Sequence, residues 1–165
     1  MIDLKRLVLL LGRLLEAEAG GESPAASPQE LKVRTEAFTS CRIAAEHGNA
    51  DGQYLLAFLY SLGLGTPQDL TAAAHWYRRA AAQGHAEAQY VLGLMYYHGR
   101  GVAQDTVQAY LWLTLAALRV AGGAEAASAV HARDFLARQM TGAQLVTAHQ
   151  LVRQWQLTLA DTILL

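Results

Sequence analysis

The stretch AEAQYVLGLMYYHGRGVAQDTVQAYLWLTLAA, residues 86–117, decides the fold of this chain, because a second copy of it lies 36 residues upstream. With that shift, Trp112 falls on Trp76 and Gly99 falls on Gly63. Further identical pairs include Gln89 and Gln53, Tyr90 and Tyr54, Leu92 and Leu56, Tyr96 and Tyr60, Gly101 and Gly65, Asp105 and Asp69, Ala109 and Ala73, Ala116 and Ala80, and Ala117 and Ala81. A fixed period in this range is typical of repeats that stack into one array. The sequence therefore predicts an all-α solenoid of helix-turn-helix units.

A half unit precedes the two full copies. Ala44 and Ala45 lie 36 residues before Ala80 and Ala81, and Gly48 lies 36 residues before Gly84. We therefore expect the array to start with the second helix of an incomplete repeat.

The composition supports a helical protein and argues against a nucleic-acid partner. Hydrophobic residues make up 53% of the 165 residues, charged residues make up 16%, and the formal net charge is −1. A nearly neutral chain lacks the basic surface with which proteins attract phosphate backbones. Cys41 is the one cysteine, so an internal disulfide is excluded, and we interpret it as a small buried apolar residue.

Capping signals predict where the helices begin and end. Ser27 to Glu30 reads as a capping box with proline at the first helical position, which opens a helix to about His47. Asn49 is predicted to cap a helix over residues 50–62. Thr66 is predicted to cap the next helix, which ends near Gln83, with the carboxylate of Asp69 near the positive end of its dipole.

The second unit repeats this plan with helices over residues 86–98 and 103–120. A further helix is expected over residues 124–139. Thr141 and Gln144 form another capping box, which predicts a last helix to about Trp155.

The two chain ends are strongly apolar. Residues 2–18 predict an amphipathic helix, and a cleaved secretory signal is the competing interpretation. Asp3 and Arg13 argue against the signal, so we expect a cytoplasmic protein, with a periplasmic or secreted one as the alternative. The run is too short and too charged to span a membrane. The tail LTLADTILL, residues 157–165, is expected to pack into its own groove or against another chain, so self-association through either end is an open alternative.

The repeated pattern A-x-A-Q-x-x-L-G-x-x-Y-x-x-G-x-G resembles the Sel-one-like repeat, a relative of the tetratricopeptide repeat. In the second unit it is carried by Ala86, Ala88, Gln89, Leu92, Gly93, Tyr96, Gly99 and Gly101. The departures from the pattern are Gly52 in place of alanine, Ala57 in place of glycine, and Leu113 in place of tyrosine. The resulting division of the chain is residues 1–36 (N-terminal helix, linker and start of the first helix), 37–49 (half repeat), 50–85 and 86–120 (full repeats), and 121–165 (closing helix pair and apolar tail).

The resemblance implies a short right-handed superhelix in which the first helix of each unit lines the concave surface. Six side chains are then expected to face the groove and to form a partner-binding surface: Tyr54, Phe58, Ser61, Tyr90, Leu94 and Tyr97. Aromatic side chains on a concave wall are what a partner peptide buries. The alternative is that these positions complete the packing between neighbouring repeats.

No pattern in the sequence indicates catalysis, a metal or a cofactor. The six histidines form no pair at metal-ligand spacing, and no phosphate-binding loop or nucleophile motif is present. Asp69 and Asp105 repeat at one structural position, which indicates capping rather than catalysis. We therefore expect a non-catalytic module that binds a peptide or helical segment of a partner protein, as an adaptor, chaperone or regulator. An inhibitor or immunity-type protein is the narrower alternative, and a groove-based hydrolase or small-ligand binder is the alternative from another class.

Overall fold

The computed structural model describes residues 27–119 and 124–163, and these residues form helices joined by short turns. The helices are α1 (Pro28–Glu46), α2 (Ala50–Leu62), α3 (Leu70–Ala82), α4 (Ala86–His98), α5 (Thr106–Arg119), α6 (Ala124–Ala137) and α7 (Gly142–Ile163). From α1 to α6 each helix packs on the next, and α7 packs on α5. This is the predicted all-α solenoid, in which α2–α3 and α4–α5 are the two full units. The predicted N-terminal helix lies outside the described residues.

The predicted capping boxes are confirmed. The hydroxyl of Ser27 accepts a hydrogen bond from the Glu30 N–H at 3.3 Å, and the Glu30 carboxylate accepts one from the Ser27 N–H at 2.7 Å. Thr141 and Gln144 repeat the arrangement at 3.3 and 2.9 Å. Asn49 caps α2 by accepting from the N–H of Gly52 at 2.7 Å.

The predicted start of α3 at Thr66 is wrong. Asp69 is the N-cap, and its carboxylate accepts hydrogen bonds from the N–H groups of Thr71 and Ala72, both at 2.9 Å. The Asp69 N–H donates to the Tyr60 carbonyl at 3.0 Å, which ties the turn back to α2. A carboxylate that can reach two free N–H groups is a better cap than a hydroxyl three residues earlier. Asp105 makes the same contacts at the start of α5.

A buried glutamine connects each unit to the one before it. Gln53 donates from its amide nitrogen to the Ala45 carbonyl at 3.2 Å, and its oxygen accepts from Gln83 at 2.8 Å. Gln89, one repeat later, donates to the Ala81 carbonyl at 3.0 Å. Buried amides need such partners because an unpaired polar group is costly away from water. These bonds therefore fix how successive repeats stack.

Small residues let the two helices of the second unit approach closely. A Cβ atom added to Gly93 would lie 2.8 Å from Cγ of Leu113, so the glycine makes room for the leucine. The equivalent residues of the first unit are Ala57 and Tyr77. Ala57 and Leu113, two of the three departures from the repeat pattern, thus occur at two positions that face each other within a unit. Ala57 departs from the pattern in the first unit, and Leu113 departs from it in the second.

The last helix is longer than predicted. α7 runs for 22 residues to Ile163 instead of ending near Trp155, because no glycine or proline interrupts its hydrogen bonds. Trp155 packs edge-on against Trp112 of α5, with ring centroids 5.2 Å apart. Within the tail LTLADTILL, the side chain of Leu157 is 61% exposed. The expected packing of the tail, into its own groove or against another chain, stays a prediction, because the side chains of residues 159–165 lie outside the described residues. No helix in residues 27–119 and 124–163 combines the length and apolarity needed to cross a membrane.

Candidate interaction surface

The C-terminal ends of α2 and α4, the first helices of the two full units, border a cleft of about 310 Å³. Its apolar lining is Leu62, Leu70, Val91, Leu94 and Met95. Its polar lining is Ser61, Tyr77, His98 and Arg100. Tyr77 and Met95 are buried, whereas the Leu62 side chain is 44% exposed. The cleft therefore combines an apolar interior with a partly polar rim.

The structure brings two of the six predicted groove residues into this cleft. Ser61 and Leu94 both line it, one on each neighbouring first helix. The Ser61 hydroxyl donates to the Phe58 carbonyl at 2.7 Å, so it also closes the last turn of α2. Both side chains are half-buried.

Tyr54 and Phe58 lie along α2 and pack on the core shared by the two units. The Tyr54 ring is stacked on the imidazole of His85 at 4.5 Å and lies 5.7 Å from the Tyr77 ring. Burial raises the pKa of Tyr54, and the nearby negative charge of Glu87 acts in the same direction. These two positions therefore contribute to repeat–repeat packing, which was the alternative interpretation for this row.

Tyr90 and Tyr97 of α4 pack against the core that α4 shares with α5, α6 and α7. The Tyr97 ring lies edge-on to Phe135 of α6, with ring centroids 6.3 Å apart, and Phe135 is 53% exposed. Tyr97 and Phe135 thus form an apolar step next to the cleft, on the side of the closing helices.

Several residues of the cleft were not predicted from the sequence. Leu62 is the last residue of α2, and Arg100 lies between the two glycines of the turn after α4. A comparison of the two turns would have found Arg100, because the first unit has Leu64 at that position. No sequence pattern marks Leu62 as a cleft residue, because its exposure depends on the distance between α2 and α4.

His85 lies between the two full units and has a structural role that no sequence pattern indicated. His85 is the N-cap of α4, and its Nδ1 accepts a hydrogen bond from the Ala88 N–H at 3.3 Å. Its Nε2 lies 3.5 Å from a carboxylate oxygen of Asp51, and its Nδ1 lies 3.2 Å from one of Glu87. The side chain is only 13% exposed. The stacked Tyr54 ring and the cap hold it at the contact between the units.

The described residues contain no group of three or more His, Cys, Asp or Glu side chains that could hold a metal ion. Cys41 is fully buried, and burial raises the pKa of its thiol from 9.0 to about 12. Burial also raises the pKa of Tyr77 at the floor of the cleft, while a hydrogen bond with Ser61 acts in the opposite direction. A thiol that stays protonated is a poor nucleophile, so Cys41 is a packing residue.

Comparison with known proteins agrees with the repeat geometry. The family model of the Sel1 repeat matches residues 50–85 and 86–119. The solved structure of a Sel1 repeat protein from Oxalobacter formigenes is 40% identical, with a TM-score of 0.54 over 58% of this chain and 71% of that chain. The chain belongs to the Sel1 repeat family.

A second solved Sel1-like structure is a protective antigen present in uropathogenic Escherichia coli strains, which displays an SLR fold. It is 32% identical, with a TM-score of 0.68 over 74% of this chain, and this chain spans 26% of its length. Both structures are of bacterial proteins. No curated protein matches the chain. Sel1 repeat proteins are in general protein–protein interaction modules and non-catalytic scaffolds, and this chain has their architecture.

Proposed function

We propose that this Sel1 repeat protein binds a peptide or helical segment of a partner protein in the cleft between α2 and α4. The observation that carries the proposal is the cleft itself, which presents apolar side chains of two successive first helices around about 310 Å³. That volume is at the lower end of ligand pockets and suits one or two large apolar side chains. A partner segment that inserts such a side chain would bury it against Leu62, Leu94 and Met95.

The shape of the surface supports a segment rather than a small molecule. The apolar step formed by Tyr97 and Phe135 continues the surface from α4 to α6. Because Tyr97 of α4 contacts Phe135 of α6, the cleft and the step can hold two anchors of one partner segment. A few central apolar anchors carry most of the affinity of such interfaces.

Site-specific photo-crosslinking tests the proposal. A photoreactive phenylalanine analogue placed at Leu62 reports partners in the cleft, and the same analogue at Val146, an exposed residue of α7, is the matched control. We expect a partner protein from the native extract to be captured from position 62 and not from position 146. Leu94→Ala is expected to abolish the capture, whereas Leu145→Ala, which truncates another half-buried leucine on α7, leaves it unchanged.

Circular dichroism checks that both alanine variants are folded. The proposal is wrong if positions 62 and 146 capture the same proteins, or if Leu94→Ala and Leu145→Ala capture the partner equally.

A further inference from the structure

The two full repeats differ at one position in a way that opens the cleft. The position after the first glycine of the turn is Leu64 in the first unit and Arg100 in the second. Leu64 is 2% exposed and belongs to the core cluster that contains Cys41, Leu55 and Leu59. In the first unit the turn therefore contributes an apolar side chain to the core.

The equivalent side chains one repeat later line the open cleft. Cys41, Leu55 and Leu59 correspond, 36 residues later, to three of the residues that border it: Tyr77, Val91 and Met95. The second turn supplies an exposed arginine where the first turn supplies a buried leucine. The cleft thus lies at the position that the side chain of Leu64 fills one repeat earlier.

The backbone holds Arg100 at the rim. Its N–H donates to the Met95 carbonyl at 2.9 Å, and Gly99 before it has a φ of 66°. Gly101 after it has a φ of 71° and lies against the backbone of Leu70, where no Cβ atom would fit. The turn is therefore packed on the start of α3, and the guanidinium extends from a fixed backbone.

The rim carries basic groups without acidic ones. None of the nine lining residues is a carboxylate. In the part of the chain that the structure describes, the ion pairs involve neither Arg100 nor His98. An arginine offers a planar fork of donors that matches a carboxylate. The charge at the rim is therefore complementary to an acidic partner.

We propose that the cleft recognises an acidic motif, in which an apolar side chain takes the place that Leu64 fills in the first unit and a neighbouring carboxylate pairs with Arg100. This inference rests on the proposed function and names the chemistry of its partner. His98 is also exposed on this rim. The apolar side chain provides most of the affinity, while the exposed ion pair changes it about two- to fivefold, which selects among partners.

Selection from a phage-displayed library of random dodecapeptides tests this inference on the full chain. Peptides that bind the wild type are counter-selected against Leu62→Ser, which shortens an exposed side chain of the cleft and leaves the core intact. We expect the surviving peptides to share an apolar residue next to Asp or Glu. An enriched peptide and its Asp→Asn form are then compared for binding to three proteins: the wild type, Arg100→Gln and Arg153→Gln. Arg153 is an exposed arginine of α7 and serves as the control.

At low salt, the acidic peptide is expected to bind the wild type and Arg153→Gln about two- to fivefold more tightly than the amide peptide does. The two peptides are expected to bind Arg100→Gln equally tightly. Arg100→Leu, which restores the leucine of the first unit, is expected to fill the cleft and weaken both peptides. Apolar peptides without acidic enrichment, or an acidic preference that survives Arg100→Gln, overturn this inference and leave the proposed function standing. If no peptide depends on Leu62, the proposed function fails with it.

Discussion

The ring of Tyr54 lies flat against the imidazole of His85, with 4.5 Å between the ring centroids and 18° between the ring planes. Tyr54 belongs to α2, and His85 caps α4, so the contact joins the first helices of successive units. The His85 side chain thereby caps α4 and also fixes the position of α4 on the preceding repeat.

Replacing His85 by alanine is expected to lower the free energy of unfolding by about 1–2 kcal/mol, because it removes both a helix cap and an aromatic contact. His85→Asn keeps an oxygen that can cap α4 and loses only the stacking, so we expect a smaller loss. Urea unfolding followed by circular dichroism measures both. Equal losses for the two variants would show that the cap contributes nothing.

Asp69→Ala and Asp105→Ala are each expected to destabilise the protein by about 1 kcal/mol, since each removes the cap of a second helix. The two losses are expected to add in the double variant, because the caps lie in different units. Thr66→Ala is the matched control and is expected to have little effect, because Asp69 and not Thr66 caps α3. A larger effect of Thr66→Ala than of Asp69→Ala in urea unfolding would contradict the observed cap.

Gly101→Ala is expected to be the most damaging of three glycine substitutions. Its φ of 71° costs a residue with a Cβ atom about 1–2 kcal/mol, and that atom would also collide with the backbone of Leu70. Gly48 also has a positive φ, 85°, but an added Cβ atom would meet nothing there, so a loss of only about 1–2 kcal/mol is expected for Gly48→Ala.

Gly142→Ala is the control, because it lies in the first turn of α7 with free space around it. There we expect no loss or a small gain, since alanine favours the helix. Thermal melting ranks the three variants. A melting temperature of Gly101→Ala equal to that of Gly48→Ala would exclude the close approach of the turn to Leu70.

Alkaline pH is expected to destabilise the folded protein through the buried thiol of Cys41. Burial raises the pKa of the folded thiol from 9.0 to about 12, so the folded state holds the proton more tightly than the unfolded state. The resulting stability is complete below pH 9 and is lost as the pH rises from 9 to 12. The raised pKa values of Tyr54 and Tyr77 act in the same direction above their ordinary value of 10.0.

Urea unfolding at several pH values between 8 and 11 measures this loss. Cys41→Ala, which has no thiol to ionise, is expected to show a weaker dependence on pH above 9. The native thiol is also expected to resist a thiol-specific reagent at pH 8 until urea is added. Rapid labelling of the folded protein at pH 8 would contradict the burial of Cys41.

Local patterns were sufficient to predict the helices and most of their boundaries. Ser27, Asn49 and Thr141 cap helices as predicted, because a cap depends on a side chain within three residues of the N–H group that it binds. Thr66 was mistaken for a cap, because the sequence offers two acceptors and only the path of the turn decides between them. The predicted end of the last helix near Trp155 failed because apolar tails can continue a helix when no residue interrupts it.

The six predicted groove positions show the limit of periodicity. The period of 36 places Tyr54, Ser61 and Leu94 on first helices, yet it cannot say which of them lies between repeats and which borders open space. Tyr54 is covered by His85, the N-cap of α4, whereas Ser61 and Leu94 border the cleft. Their assignment as a binding surface stays a prediction, to be tested by the variants above.

The sequence by itself determined the repeat, the family and the helical array, because these follow from contacts that recur at a fixed distance along the chain. Only the tertiary structure decided where the array is left open. The exposure of Leu62 and Arg100 depends on how far α4 lies from α2, and that distance is set by the packing of whole units rather than by either residue. One exchange between equivalent turns, Leu64 for Arg100, is visible in the sequence, but its consequence appears only when the repeats are stacked.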